Sequence, residues 1–122
     1  MTNAYMGKLL RVNLSVGKIT IEDLRTGWAK DFIGGAGLAT RYLYDEVPPG
    51  TDPLSPDNKL IFAPGVLTGM PMCGGGRSAV GAKSPITGGF GEADVGGYFG
   101  AELARAGWDG LIVEGKAKGP VY

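Results

Sequence analysis

The 122-residue chain predicts an α+β fold in which strands outnumber helices. Three observations carry this expectation: short β-prone apolar segments recur along the chain, only three stretches have helical spacing, and glycine or proline stops lie between them. Lys8 to Leu14 is strongly apolar and β-prone. Lys18 to Leu24 alternates, with Ile19 and Ile21 on one face, so Ser15-Val16-Gly17 reads as a hairpin turn. Thr26 stands where it could cap a short helix through Trp28, Ala29, Phe32 and Ile33, ended by Gly34-Gly35. A second helix from Leu38 to about Glu46 is stopped by Pro48-Pro49-Gly50. Pro53 and Pro56 make Thr51 to Asn58 a loop. Lys59 to Ala63 reads as a buried strand, Leu67 to Gly76 as loop and Ser78 to Lys83 as an alternating strand. Gly97 to Ala106 has helical spacing, with Gly107 where a C-cap glycine belongs. Leu111 to Glu114 is a further strand, and Val121-Tyr122 reads as the start of another. Together these make about six strands and three short helices, the size of one domain or part of one.

Composition excludes several functions. Twelve basic and twelve acidic residues cancel, leaving no global field to attract nucleic acid or an anionic membrane. Apolar runs fall far short of the roughly 20 residues a spanning helix needs, and no secretory signal is visible, so a cytoplasmic location is expected. Cys73 is the one cysteine and histidine is absent. The chain alone therefore cannot build an intrachain disulfide, a thiolate or imidazole metal cage, or a histidine general base. Any metal or redox centre has to be held by something else.

Glycine is the unusual residue, 23 of 122 against about 7% in average proteins. It clusters as Gly34-Gly35-Ala36-Gly37, Gly74-Gly75-Gly76, Gly88-Gly89 and Gly96-Gly97. Each cluster alone could be a tight turn; four in one small domain favour a surface where backbone amides meet a ligand. Gly74 to Ala79 formally fits a dinucleotide pattern, but a proline-bearing loop precedes it and a strand follows, which is the wrong context. Gly69 to Gly74 has P-loop glycine spacing without the Lys-[Ser/Thr].

Arg77 emerges from three glycines as a permanently charged fork suited to phosphate. Its plainer role is a structural bond from the surface to a loop carbonyl. Gly91 to Gly100 reads as an acidic loop entering a helix start, whose amides favour anions. Asp94 in that loop could cap the helix, or could ligate a hard cation such as Mg²⁺. Glu92, Asp94 and Glu102 are the carboxylates nearest these glycines and could pair for acid–base work, though Glu92 and Glu102 better suit solvated surface charge; Cys73 has no histidine to activate it.

The ordered set of motifs resembles the aldehyde:ferredoxin oxidoreductase family over essentially the whole chain. The matching pieces are Gly7 to Leu14 with Gly17-Lys18-Ile19, Phe32 to Ala39, Pro53 to Leu60, Leu67-Thr68-Gly69, Lys83 to Gly88, Gly96 to Leu103, Ala106 to Asp109 and Val113 to Ala117. The resemblance implies an N-terminal domain of two packed β-sheets with short helices, forming a saddle under a bis-pterin tungsten or molybdenum cofactor (tungstopterin or molybdopterin). The dithiolene sulfurs of that cofactor hold the metal, consistent with the single cysteine here. By position Arg77 matches the pterin-contacting arginine, and Gly96, with Gly97 beside it, matches a backbone contact to the pterin. Asp94 falls where the family commonly has asparagine, whose main-chain oxygen helps bind a Mg²⁺ bridging the pterin phosphates. Ala36 stands where many relatives have arginine.

The resemblance also implies that the [4Fe–4S] cysteines, a second pterin-binding segment and the acid–base residues lie outside residues 1–122. Residues 1–122 are then an incomplete pterin-cofactor-binding domain with no catalytic residue of its own. Its expected partners are the cofactor, remaining domains or a partner subunit, and ferredoxin as acceptor when aldehydes are oxidised to carboxylic acids. A homo-oligomer is left open; nucleic acid and membrane are not expected. The alternatives are a non-catalytic stand-alone pterin-binding or interaction module, and a truncated product with no independent role.

Overall fold

The computed structural model describes residues 4–122. The chain runs β1 (Lys8–Asn13), β2 (Lys18–Asp23), α1 (Thr26–Phe32), α2 (Gly35–Glu46), β3 (Lys59–Pro64), β4 (Ser78–Lys83), β5 (Phe90–Val95), α3 (Tyr98–Arg105) and β6 (Gly110–Glu114). The α+β class with three short helices is as the sequence indicates. The strand count matches for a partly different reason. The first half of Gly91 to Gly100, read as an acidic loop, belongs to a strand on the sheet edge, Phe90–Val95, whereas Val121-Tyr122 has no regular structure.

The strands form one mixed sheet in the order β2-β1-β6-β3-β4-β5. This corrects the expectation of two packed sheets for the described residues. The cause is β6, which pairs parallel with β1 (Ile112 opposite Arg11) and antiparallel with β3 (Ile112 opposite Ile61). It thereby joins the β1–β2 hairpin to the β3–β4–β5 meander across their one shared gap.

Alternation along the strands gives the sheet two different faces. Leu9, Ile61, Ala63 and Ile112 point to the side where α2 lies, and with Leu38, Ala39, Tyr42 and Leu43 of that helix they form the buried core. The other side carries Leu10, Val12, Leu111, Val113, Phe62 and Val80, together with Ile19, Ile21 and Leu60, which stay exposed. At one end of that face Phe62 meets Phe99 of α3, ring centres 5.4 Å apart.

Helix ends differ in how well they were legible. α3 closes in a Schellman motif: the Gly107 amide donates to the Ala104 carbonyl (2.9 Å) and the Trp108 amide to Leu103 (3.2 Å). Gly107 is the C′ glycine that the sequence suggests. The Thr26 cap is not formed; Arg25 occupies the N-cap position with no side-chain bond to the helix. α1 ends at Phe32, and Ile33 then takes φ 65° and ψ −75°. The Gly34 amide donates to the Phe32 carbonyl at 2.8 Å, which makes Ile33 the centre of a rare and strained γ-turn. That turn lets α2 start earlier than expected, at Gly35.

Candidate functional site

Three of the four glycine clusters come together at one end of the sheet. Pro64 at the end of β3 pairs with Ser78 at the start of β4, and Ser78 pairs with Val95 at the end of β5. Gly34 packs against this end, since a Cβ there would sit 3.1 Å from Val66 Cγ2 and 3.3 Å from the Pro64 carbonyl. Gly76 lies against the Gly97 carbonyl, which a Cβ there would meet at an ordinary contact distance of 3.8 Å. Gly88-Gly89 belongs to the opposite end, in the β4–β5 turn beside Val47 and Pro48. It leaves the group for a topological reason: β4 and β5 are antiparallel, so their connecting turn lies a full strand length from Arg77.

The converging turns expose unpaired donors. α2 begins at N-cap Gly34 and α3 at N-cap Gly97, and neither has a side-chain cap. Each helix therefore presents free N–H groups and the positive end of its dipole at this end of the sheet. Gly97 has φ 85°, a conformation that L side chains rarely adopt, and a Cβ at Gly96 or Gly97 would meet nothing within 4 Å. Backbone is thus bare where an anion would approach.

Arg77 stands at this end with 74% of its side chain exposed, and its Nη1 donates to Asp94 Oδ2 at 2.8 Å. The loop-carbonyl role open to it in the sequence is not the one observed. Asp94 does not cap α3 either; it lies within β5, opposite Ala79, with its carboxylate turned to Arg77. So exposed an ion pair contributes about 0–1 kcal/mol, and a ligand can exchange for either partner. Among the described residues no three His, Cys, Asp or Glu side chains converge to hold a metal ion.

The residues around these turns are unusually apolar for a surface. Ile33, Leu67, Met70, Met72 and Tyr98 are all exposed, Tyr98 at 84%. A rim of this kind marks a surface that receives a ligand or another chain. Behind the 65–70 loop is a cavity of about 170 Å³ lined by Tyr5, Leu38, Thr68 and Trp108. That is smaller than the roughly 300–1,000 Å³ of ordinary ligand pockets, so a large ligand would sit on the open surface. A groove of about 510 Å³ lies at the far end, between α2 and the β4–β5 turn, away from Arg77.

Two features of the site escaped the sequence. Thr68 is only 7% exposed and donates to the Arg77 carbonyl; the sequence marks it as part of the Leu67-Thr68-Gly69 motif without giving it a role. Ile33 carries backbone strain that apolar periodicity does not reveal.

The fold and site together define an α+β domain with bare amides, two uncapped helix starts and an arginine gathered at one sheet end. The family model for the N-terminal domain of aldehyde ferredoxin oxidoreductase matches residues 9–122, and the chain belongs to this family. A tungsten-containing aldehyde ferredoxin oxidoreductase of Pyrococcus horikoshii is 54% identical over 118 residues, 97% of this chain and 19% of that protein. An aliphatic sulfonate oxidoreductase WOR-like subunit of Pyrococcus furiosus is 39% identical over 122 residues, 98% of this chain and 19% of that protein. A solved chain of the active-site complex BamBC of benzoyl coenzyme A reductase, in complex with 1,5-dienoyl-CoA, superimposes with a TM-score of 0.94 at 38% identity. It covers 98% of this chain and 18% of that one. The chain thus spans about a fifth of the length of these relatives. Among the described residues no helix is long and apolar enough to cross a membrane.

Proposed function

We propose that residues 1–122 form part of the docking bed for a tungsten-pterin cofactor in an oxidoreductase of the aldehyde ferredoxin oxidoreductase type. The observation that supports this reading is the meeting of the Gly34, Gly74–Gly76 and Gly96–Gly97 turns with Arg77 at one open end of the sheet. The amides of Gly96 and Gly97, with the first turn of α3, would receive phosphate, and the Arg77 fork would hold phosphate or a pterin edge. Such a cofactor supplies two-electron redox chemistry at its metal when bound, here the oxidation of an aldehyde to a carboxylic acid with electrons passed to ferredoxin. The protein's task in this segment is to bind, orient and shield.

The residues present fit that task. The metal of a dithiolene cofactor needs no cysteine or histidine from this segment, which has one exposed cysteine and no histidine. Asp94 would serve a Mg²⁺ through its main-chain oxygen, and its carboxylate could leave Arg77 for the cation as phosphate takes its place. Molybdenum in place of tungsten would meet the same donors; the names of the Pyrococcus horikoshii relative and its kin favour tungsten. Iron–sulfur ligands, acid–base residues and the ferredoxin contact would come from polypeptide outside residues 1–122. Relatives named for aldehydes, for an aliphatic sulfonate and for benzoyl coenzyme A share this domain, so it is a poor candidate for setting the substrate.

The test is to produce the protein in a host that makes tungstopterin and measure tungsten and fluorescent pterin per chain. Arg77→Ala should lower both at least severalfold with an unchanged circular dichroism spectrum. Full retention in Arg77→Ala overturns the role given to this arginine.

A further inference from the structure

We infer that Thr68 is a positioning residue that fixes the Arg77 turn and the start of α3 relative to each other, using its two γ-substituents separately. This rests on the docking-bed reading and adds to it the side chain that holds the bed in shape.

Arg77 and Gly97 come from different loops, and a polyphosphate spanning both needs their separation fixed before it binds. Backbone pairing of β4 with β5 sets only part of this, because both residues lie beyond the last register pair, Ser78 with Val95. Thr68 supplies the rest. Its hydroxyl donates to the Arg77 carbonyl at 2.5 Å, and the Gly65 amide donates to the same oxygen at 3.3 Å. The carbonyl directly behind the guanidinium is thus tethered from below. The Thr68 methyl lies on the other side, against α3: a Cβ at Gly100 would be 3.2 Å from Thr68 Cγ2 and 2.7 Å from Ser78 Oγ. Only a glycine permits α3 to approach Ser78 and Thr68 so closely, and Gly97 at the start of that helix lies against Gly76, the residue before Arg77. Thr68 is itself held, since its amide donates to the Gly65 carbonyl at 2.9 Å and the next amide, Gly69, donates to Gly75 at 3.1 Å. One buried side chain therefore touches both halves of the bed, and its chemistry divides accordingly: oxygen for one half, carbon for the other.

That division makes the inference separable by substitution. Thr68→Val keeps the shape and removes the hydroxyl; Thr68→Ser keeps the hydroxyl and removes the methyl. The probe is inorganic pyrophosphate, titrated into the ¹⁵N-labelled 122-residue chain while amide shifts are followed. In the wild type the Gly96, Gly97 and Ser78 amides should move together. Thr68→Val should weaken binding about fivefold, the size of one lost hydrogen bond, and shift the Gly75 to Ser78 amides in the unliganded protein. Thr68→Ser should instead shift Gly97 and Gly100 and weaken binding by a smaller factor. Ile61→Val, in the core away from this end, controls for lost stability and should leave pyrophosphate affinity unchanged. If Thr68→Val binds as tightly as wild type, Thr68 has no positioning role while the bed itself stands. If the wild type shows no shifts at Gly96 and Gly97, the bed fails and this inference with it. Should Thr68→Val not fold, Thr68→Ser decides alone: unmoved Gly97 and Gly100 amides with wild-type affinity overturn the coupling.

Discussion

Replacing Arg11 by methionine should cost this domain a large share of its stability, and the structure gives the reason. Arg11 projects from β1 onto the α2 side of the sheet with 13% of its side chain exposed, and it serves three carboxylates. Its Nε is 2.5 Å from Glu22, its Nη2 is 2.9 Å from Glu46 and its Nη1 is 2.9 Å from Glu114. Lys59 adds a contact of 2.6 Å to Glu114, so the cluster holds two cations and three carboxylates. Burial alone would lower the affinity of Arg11 for its proton, but the bonds to Glu22 and Glu46 outweigh it and the group is held more firmly charged than usual. Without Arg11, Lys59 alone is left to serve Glu46 and Glu114, and Glu22 loses its partner in the cluster. Breaking a buried pair costs about 3–5 kcal/mol; because Glu22 is 37% exposed, we take about 2–4 kcal/mol here. Against a total of about 5–15 kcal/mol for a small domain, this is a loss that urea unfolding resolves easily. Methionine keeps the aliphatic stem, so packing changes little. Adding Glu46→Gln to Arg11→Met should recover part of the loss, because Lys59 then faces the single carboxylate of Glu114, at 2.6 Å. A loss below about 1 kcal/mol for Arg11→Met at pH 7 would show that the cluster behaves as a surface network and that this reasoning is wrong.

The same cluster sets an acid limit. Burial would raise the Glu114 pKa, but hydrogen bonds from Lys59 and Asn13 outweigh it, and the carboxyl is held below its usual value. A depressed folded-state pKa stabilises above the unfolded value of about 4.3 and loses that contribution as pH falls through the folded one. Acid titration of Glu114→Gln should therefore converge with wild type below about pH 4; a gap that widens instead would reverse the sign. Two glycines inside helices should respond oppositely to alanine, read by thermal melting. Gly27 of α1 has nothing within 4 Å of a built Cβ, so Gly27→Ala should stabilise by about 0.5–1 kcal/mol. Gly100→Ala gains the same propensity but places its Cβ 2.7 Å from Ser78 Oγ, and overpacking of about 1–3 kcal/mol should make it the less stable variant. Equal shifts in both would deny the close α3 contact on which the Thr68 inference depends.

What could be read in the sequence follows from how local each cause is. The β1–β2 hairpin needs only alternation and a turn, both within 16 residues, Lys8 to Asp23, and it was legible. The C-terminal glycine of α3 was legible for the same reason. β5 was missed although its alternation is real: Phe90, Glu92 and Asp94 share one side, Gly91, Ala93 and Val95 the other. The signal is weak because small residues line one side and carboxylates the other, as suits an edge strand that must not pair with another chain. Joining the two halves of the sheet was not legible, because β6 pairs with β1 across about a hundred residues and no local pattern encodes that register. The site divides along the same line. Its glycines and Arg77 were visible as residue types, while Asp94 could be paired with Arg77 only once the β4–β5 register was known. Thr68 is the extreme case, since its importance lies in touching two elements at once. A residue type announces what a side chain can do; only the fold decides which groups are within its reach, and that is why residues that bind are easier to find in a sequence than residues that hold the binders in place.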